Sequence, residues 1–245
     1  MNDRATRIGW VVDSQNDFLI PPEEGGRLYI HDLFDEKDEG ARQVVPALRK
    51  AVEWMHANCA LVVYTGDWHA YGDAEIDPVH PDPAKETYPP HCMGMSDDPA
   101  EREGAQIHAS IRPENPIVLP RDATEADARA AADRALAERR PVFIQKDRFD
   151  VFTGNPSAEA FLAELRRRLG RLDVYVAGVA RDVCVKHAVE GLLKPSRGCW
   201  VTLVTDATWG LGLEPEAESL ARWTCDGAAL LTTRGLELRA GVQAD

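Results

Sequence analysis

The chain has 245 residues, 44% hydrophobic and 28% charged, with a formal net charge of −13. Acidic residues dispersed at that excess repel nucleic acid and anionic membrane surfaces, so neither is expected as a partner, and no apolar run reaches the roughly 18 residues of a bilayer span. Cys59, Cys92, Cys184, Cys199 and Cys225 form no CxxC pair, and the N-terminal stretch MNDRATRIGW lacks an apolar h-region, so reduced thiols, no secretory signal and a cytoplasmic setting are expected.

Ile8–Val12 is a β-rich run ending at Asp13 in IGWVVDSQNDF. Residues 20–40 are a loop of proline, glycine and acid without steady periodicity. Over Arg42–Asn58, Val45, Leu48, Val52 and Met55 recur at helical spacing. Ala60–Tyr64 predicts the next strand, followed by Thr65-Gly66-Asp67-Trp68-His69. From Ala70 to about Arg121 the chain is irregular and proline-rich, and it carries His80, His91 and His108; loops this long in a compact domain are usually functional or disordered. Thr124–Arg139 reads as an Ala-rich helix with Thr124 or Asp122 as its cap. Val142–Gln145 reads as a strand leading into Lys146, and Ser157–Leu169 as a helix capped by Ser157. In Val174–Leu193 an apolar β-branched run meets a Gly/Ala-containing break, and then Val185, Ala188, Val189 and Leu192 follow at helical spacing. This predicts a buried strand, a sharp turn and a helix. Trp200–Thr205 is a strand ending at Asp206, Glu216–Cys225 a helix and Ala228–Thr232 a last strand.

Six apolar strands alternating with helices predict a parallel sheet covered on both faces. Ligands of such sheets sit beyond the carboxyl ends of the strands. Asp13, Asp67 with His69, Lys146, and Cys184 each fall at or just past such an end, so four chemically loaded positions converge on one edge. Cys184, in the first turn of its helix, meets unpaired backbone N–H groups and the positive end of a helix dipole, which favour a thiolate; a small core residue is the plain alternative. Asp13 can take the thiol proton and return it to a leaving group, and Lys146 favours both anions by charge. A salt-bridge scaffold is the alternative for that pair. The backbone N–H groups of Ala180 and Cys184 can hold the oxyanion of a tetrahedral intermediate. The implied reaction is acyl transfer to sulfur followed by hydrolysis. Asp67-x-His69, followed by His80 and His91, is a second cluster; a carboxylate with two histidines suits Zn, Fe or Mn.

Five pieces occur in a telling order: VVDSQNDF at Val11–Phe18, GDWH at Gly66–His69, PPHC at Pro89–Cys92, the lysine of QKDRFDVFTG at Gln145–Gly154, and GVARDVCV at Gly178–Val185. On these the chain resembles, over nearly its whole length, the cysteine hydrolases of the nicotinamidase and isochorismatase-like superfamily. The resemblance implies a single domain over 1–245 with an α/β, Rossmann-like three-layer architecture: a six-stranded parallel sheet flanked by helices on both faces. It also implies a catalytic triad of Asp13, Lys146 and Cys184, and a non-prolyl cis peptide before Ala180 that orients the oxyanion hole.

The DWH and PPHC pieces look like the nicotinamidase branch. That branch implies one divalent metal ion, Zn with Fe or Mn as alternatives, on Asp67, His69 and His91. It further implies a substrate ring packed by Phe18 and Trp68, with Ala180 at the reacting carbonyl. Where relatives add a further ligand in an HPE segment, this chain has His80-Pro81-Asp82. Asp82 is therefore the expected further ligand, with Glu75 and Glu86 as rivals. Arg181 replaces a residue that is often threonine, and the acidic loop at 22–40 matches no motif. The implied activity is hydrolysis of nicotinamide, or a close heteroaromatic amide, to the carboxylate and ammonia, as in NAD salvage. The implied partner is a small-molecule amide, in a homo-oligomer. The alternatives are a sister hydrolase acting on an N-carbamoyl or other small amide, and a non-catalytic metal-binding protein on the same fold.

Overall fold

The computed structural model describes residues 5–241. Residues 1–4 and 242–245, which include the start of the stretch read for a signal and both ends of the expected 1–245 domain, lie outside the described residues. In chain order the elements are β1 (Thr6–Val12), α1 (Asn16–Leu19), α2 (Val45–Asn58), β2 (Leu61–Asp67), α3 (Pro99–Gly104), β3 (Ile117–Leu119), α4 (Glu125–Glu138) and β4 (Val142–Lys146). They continue with α5 (Val151–Gly154), α6 (Ala158–Leu169), β5 (Leu172–Val179), α7 (Cys184–Leu193), β6 (Cys199–Trp209), α8 (Glu216–Cys225), β7 (Ala229–Leu231) and α9 (Thr233–Gly241).

Among the described residues these strands form one seven-stranded sheet in the order β3-β4-β2-β1-β5-β6-β7, with parallel pairing throughout. The sheet therefore has seven strands where six were expected. The extra one, β3, is three residues at the sheet edge with Val118 45% exposed. Its apolar run is only the three residues between Pro116 and Pro120, too short to stand out, and it hides in the stretch read as irregular.

Alternation along the strands sorts the core into two layers. Ile8, Trp10 and Val12 of β1 pack with Ala132 of α4, Phe161 of α6, Val189 of α7 and Trp223 of α8. Val11 of the same strand packs on the opposite face with Leu48 and Met55 of α2 and Leu236 of α9. Strands buried on both sides read as continuous apolar runs, which is why the central ones were visible in the sequence.

At the helix ends, Thr124 rather than Asp122 is the cap of α4, in a reciprocal capping box with Asp127. Ser157 precedes α6 but does not cap it with its side chain; its hydroxyl donates instead to Asn155 Oδ1 at 2.7 Å. β6 runs past its expected end, so Asp206 lies within the strand and accepts the Thr233 N–H at 2.8 Å and hydroxyl at 2.6 Å, anchoring α9. All five cysteines are free. Among the described residues no helix is long and apolar enough to cross a membrane.

Candidate active site

Four adjacent strands, β4-β2-β1-β5, carry the chemically loaded residues at their carboxyl ends. Asp67 and Lys146 are register partners across β2 and β4, and Val12 is opposite Gly178 across β1 and β5. The chain leaves β1 through Asp13 with φ +43°, a conformation uncommon outside glycine but tolerated best by Asn and Asp. Its N–H donates to the Thr65 carbonyl at 3.2 Å and its Oδ1 accepts the Thr65 hydroxyl at 2.7 Å. Gly178 has φ +128°, and a Cβ there would lie 2.0 Å from the Val12 carbonyl oxygen, so only glycine lets the strands leave the sheet side by side.

These exits bring Asp13, Lys146 and Cys184, the expected triad, together. Lys146 Nζ lies 2.8 Å from Asp13 Oδ2, bonds Asp67 Oδ1, and is 3.9 Å from Cys184 Sγ. One ligand atom each from Asp13, Asp67 and Cys184 falls within a 4.8 Å group. All four side chains are buried. Burial raises the Asp13 carboxyl above its ordinary value, opposed in part by Lys146. Burial acts the same way on Asp67, but there Lys146, His69 and His91 prevail and hold the carboxyl below its ordinary range. The Lys146 ammonium survives desolvation because Asp13 and Asp67 flank it, and its pKa lies well above normal.

Cys184 is the first residue of α7, as expected, but the expected preference for a thiolate does not hold. Burial pushes the thiol well above its ordinary value, and the pull of Lys146 recovers only part of that. A fraction of a charge at a helix end is a smaller effect than the loss of water around an anion.

The Val179–Ala180 peptide is cis. In the turn that follows, the N–H groups of Val183 and Val185 donate to the Ala180 carbonyl and that of Arg181 to Trp209. The N–H groups of Ala180 and Cys184 take no part in these turn bonds. The Asp182 carboxylate accepts from Leu211 N–H at 2.9 Å and Leu213 N–H at 2.8 Å, fastening the turn to the segment after β6.

Beside the triad, Nε2 of His69 and Nε2 of His91 each lie 3.9 Å from Asp67 Oδ2, within a group whose ligand atoms are all less than 4.8 Å apart. The far nitrogens are engaged elsewhere: His91 Nδ1 with the Pro89 carbonyl at 2.8 Å, and His69 Nδ1 with Asp73 Oδ2 at 3.4 Å. Burial and the neighbouring His69 push His91 down to about 4, so its ring is neutral near pH 7. His69 Nε2 is buried without a hydrogen-bond partner. Two imidazole nitrogens and a carboxylate oxygen converging on one point, one of them otherwise orphaned, fit a Zn, Fe or Mn ion.

Of the three carboxylates expected as candidates for a further ligand, Asp82, Glu75 and Glu86, Glu75 is the buried one. Glu75 Oε1 accepts the Phe149 N–H at 2.9 Å, Oε2 is buried without a partner, and burial with the Asp67 charge pushes the group up to about 8. Asp82 lies in a partly exposed turn with its carboxylate 3.0 Å from Lys85 Nζ. Glu86 and His80 are exposed.

Phe18 packs against the His91 ring at 5.5 Å. Trp68, expected to contact the substrate, is partly buried against the core, edge-on to Phe143 at 5.8 Å and so close to Gly94 that a Cβ there would meet its ring at 2.1 Å. Further aromatic residues, which carried no motif in the sequence, cluster by His91. Tyr88 is edge-on to both His91 and Phe149, and Phe149 stacks on His187 at 6.3 Å. Their signal was position alone: Tyr88 precedes the PPHC piece, and His187 shares a helix face with Cys184 at i+3. Arg181 turns to a different cavity of about 540 Å³, among Asp32, Asp35, Asp38 and Glu39, with its guanidinium 3.4 Å from Glu216.

The family model described as Isochorismatase domain matches residues 10–235. No curated protein matches the chain. Among solved structures it is similar to an L. infantum protein in complex with nicotinate, at 22% identity over 94% of each chain with a TM-score of 0.63. It is also similar to N-carbamoylsarcosine amidase from Thermoplasma acidophilum, at 21% identity over 93% of this chain and 96% of that one, TM-score 0.61. Pyrazinamidase of Pyrococcus horikoshii in complex with zinc matches at 23% identity over 92% and 98%, TM-score 0.59. At these identities the likeness to solved structures is one of fold.

Proposed function

The chain belongs to the isochorismatase domain family, and we propose that it is a metal-dependent amidohydrolase converting nicotinamide, or a close heteroaromatic amide, to the carboxylate and ammonia. The observation that carries this reading is the Lys146 ammonium set 2.8 Å from Asp13 and 3.9 Å from the Cys184 sulfur, beside the three-ligand group of Asp67, His69 and His91. A binding module has no use for a buried thiol that shares a lysine with a carboxylate.

In this site a bare thiolate beside two carboxylates is disfavoured by burial, so sulfur becomes nucleophilic only as its proton moves to Asp13. That transfer leaves the number of anions unchanged, and Lys146 stays within reach of whichever group holds the charge. Sγ attacks the amide carbon, and the Ala180 and Cys184 N–H groups receive the oxyanion. Asp13 gives its proton to the departing nitrogen, which leaves as ammonia, and a Cys184 thioester remains. Asp13 then takes a proton from an attacking water, the carboxylic acid forms, and Sγ leaves with the proton that Asp13 returns.

Asp67, His69 and His91, with Glu75 as the further carboxylate, are the residues that would hold a divalent ion. Such an ion, when bound, supplies a Lewis acid for the substrate's ring nitrogen. Phe18 and Tyr88 flank His91 and supply flat apolar surface for a ring. Structures of the same fold that hold nicotinate and zinc support this reading.

The test is ammonia release across a panel of nicotinamide, pyrazinamide and N-carbamoyl amino acids, before and after metal removal. Release fastest from nicotinamide, lost on chelation and regained with Zn, Fe or Mn, is expected. Release confined to the N-carbamoyl compounds would replace this reading with that of a sister amidase.

A further inference from the structure

Next to the proposed metal ligands stands a carboxylate–guanidinium pair that the chemistry above does not use. The Asp73 side chain is only 11% exposed. Its Oδ2 lies 3.4 Å from His69 Nδ1 and accepts the Ala70 N–H at 2.8 Å. Arg121 grips both oxygens of that carboxylate, Nη1 to Oδ2 at 2.5 Å and Nη2 to Oδ1 at 2.9 Å. The same Nη1 donates to the Trp68 carbonyl at 2.9 Å, and Nη2 lies 3.7 Å from Asp147. Arg121 therefore joins the backbone on one side of His69, the carboxylate behind its ring, and the residue after Lys146.

A neutral imidazole can carry its proton on either nitrogen. If the proton sits on Nε2, His69 has no lone pair to offer toward Asp67 and His91. A carboxylate behind Nδ1 selects the other tautomer. We propose that Asp73, held in place by Arg121, is a positioning pair for the metal: it keeps the His69 proton on Nδ1, aims the free Nε2 lone pair at the ligand group, and makes the ring a stronger donor. A carboxylate behind a ligating histidine is a general device of metal sites, and its removal typically costs about 10–100-fold in metal affinity. Arg121 matters because the contact to Nδ1 is long. Unheld, an Asp side chain on a loop can swing to water, and a two-point fork prevents that.

This inference rests on the metal reading above, and the experiment separates the two. Co2+ is titrated into the metal-free full-length protein, and its visible absorption gives both affinity and ligand geometry. Asp73→Asn keeps the shape and removes the charge; its Co2+ affinity is expected to fall about 10–100-fold with an altered spectrum. Arg121→Gln is expected to weaken binding in the same direction, and Arg121→Lys to regain part of the loss. Because Arg121 acts through Asp73, the double variant D73N/R121Q should bind about as D73N alone, whereas two unrelated structural losses would add. If the unsubstituted chain takes up no Co2+, the metal reading and this inference both fail. If it binds and D73N matches it in affinity and spectrum, only this inference fails. Should D73N not fold, the Arg121 variants decide: binding by R121Q equal to that of the unsubstituted chain overturns it.

Discussion

Asp67 and Lys146 face each other as register partners at the ends of β2 and β4, and the Asp67 carboxylate serves two neighbours at once. Its Oδ1 bonds the Lys146 ammonium, while its Oδ2 faces the Nε2 atoms of His69 and His91 at 3.9 Å. One side chain thus belongs both to the surroundings of the Cys184 sulfur and to the group it forms with His69 and His91. Neither cluster stands alone, because a change at one alters the charge seen by the other.

Replacing the proposed nucleophile should separate these roles. Cys184→Ala is expected to lower ammonia release by about 10³-fold or more while leaving metal uptake unchanged, because Sγ is absent from the group of Asp67, His69 and His91. Parallel turnover and Co2+ titrations read the two effects. Undiminished turnover would remove the thioester route.

Lys146 balances two buried carboxylates, so its loss should cost stability as well as activity. Lys146→Ala leaves Asp13 and Asp67 facing each other without a cation, and removing one partner of a buried ion pair costs about 3–5 kcal/mol. Urea denaturation of the two proteins at pH 7 measures this. A cost under about 1 kcal/mol, as at exposed pairs, would mean the three groups are not coupled.

His91 predicts a pH dependence with a definite sign. Its ring is pushed down to about 4 in the fold from an ordinary 6.5. Between those values the unfolded chain binds the proton more readily than the native one, so the metal-free protein loses stability as pH falls through this window. The full displacement corresponds to about 3 kcal/mol. Stability measured from pH 7 to pH 4 should decline along this limb, and His91→Asn should flatten it. Metal affinity should fall over the same range, since protonation competes for Nε2. An identical slope in both proteins would contradict the assignment.

Gly178 sets the distance between the strands that deliver Asp13 and the cysteine turn. Gly178→Ala brings a Cβ to 2.0 Å from the Val12 carbonyl oxygen at φ +128°. The strained backbone alone costs about 1–3 kcal/mol, and relief of the clash moves the strand ends that carry Asp13 and the Cys184 turn. Thermal unfolding and ammonia release should both drop. A variant stable and active as the parent would mean that the sheet exit is not tightly held.

What the sequence revealed follows from where the physics is local. β1, β2, β4 and β5 are apolar runs that end in Asp13, Asp67, Lys146 and the turn before Cys184, so both the strands and the convergence of their ends could be read directly. β3 could not, because three residues with an exposed centre resemble a loop. Between Ala70 and Arg121 periodicity fails altogether, so the burial of each carboxylate there could not be read from the sequence. The likeness of His80-Pro81-Asp82 to an HPE segment pointed to Asp82; in the fold the Tyr88 N–H donates to the Glu75 carbonyl at 2.8 Å, Glu75 is buried, and Asp82 lies beside Lys85. The thiolate expectation for Cys184 failed for another reason. A helix start is visible in sequence, whereas the depth of burial that outweighs it is a property of the whole fold.

The central claim is that the Cys184 sulfur carries the acyl group during turnover. The most direct measurement is the mass of the protein quenched in acid while it hydrolyses nicotinamide, followed by digestion to locate any adduct. The expected result is one nicotinoyl group on the peptide containing Cys184, decaying as substrate is exhausted and absent from C184A. Steady ammonia release with no acyl adduct on that peptide, at quench times short enough to catch a slow-hydrolysing variant of the same protein, would contradict it.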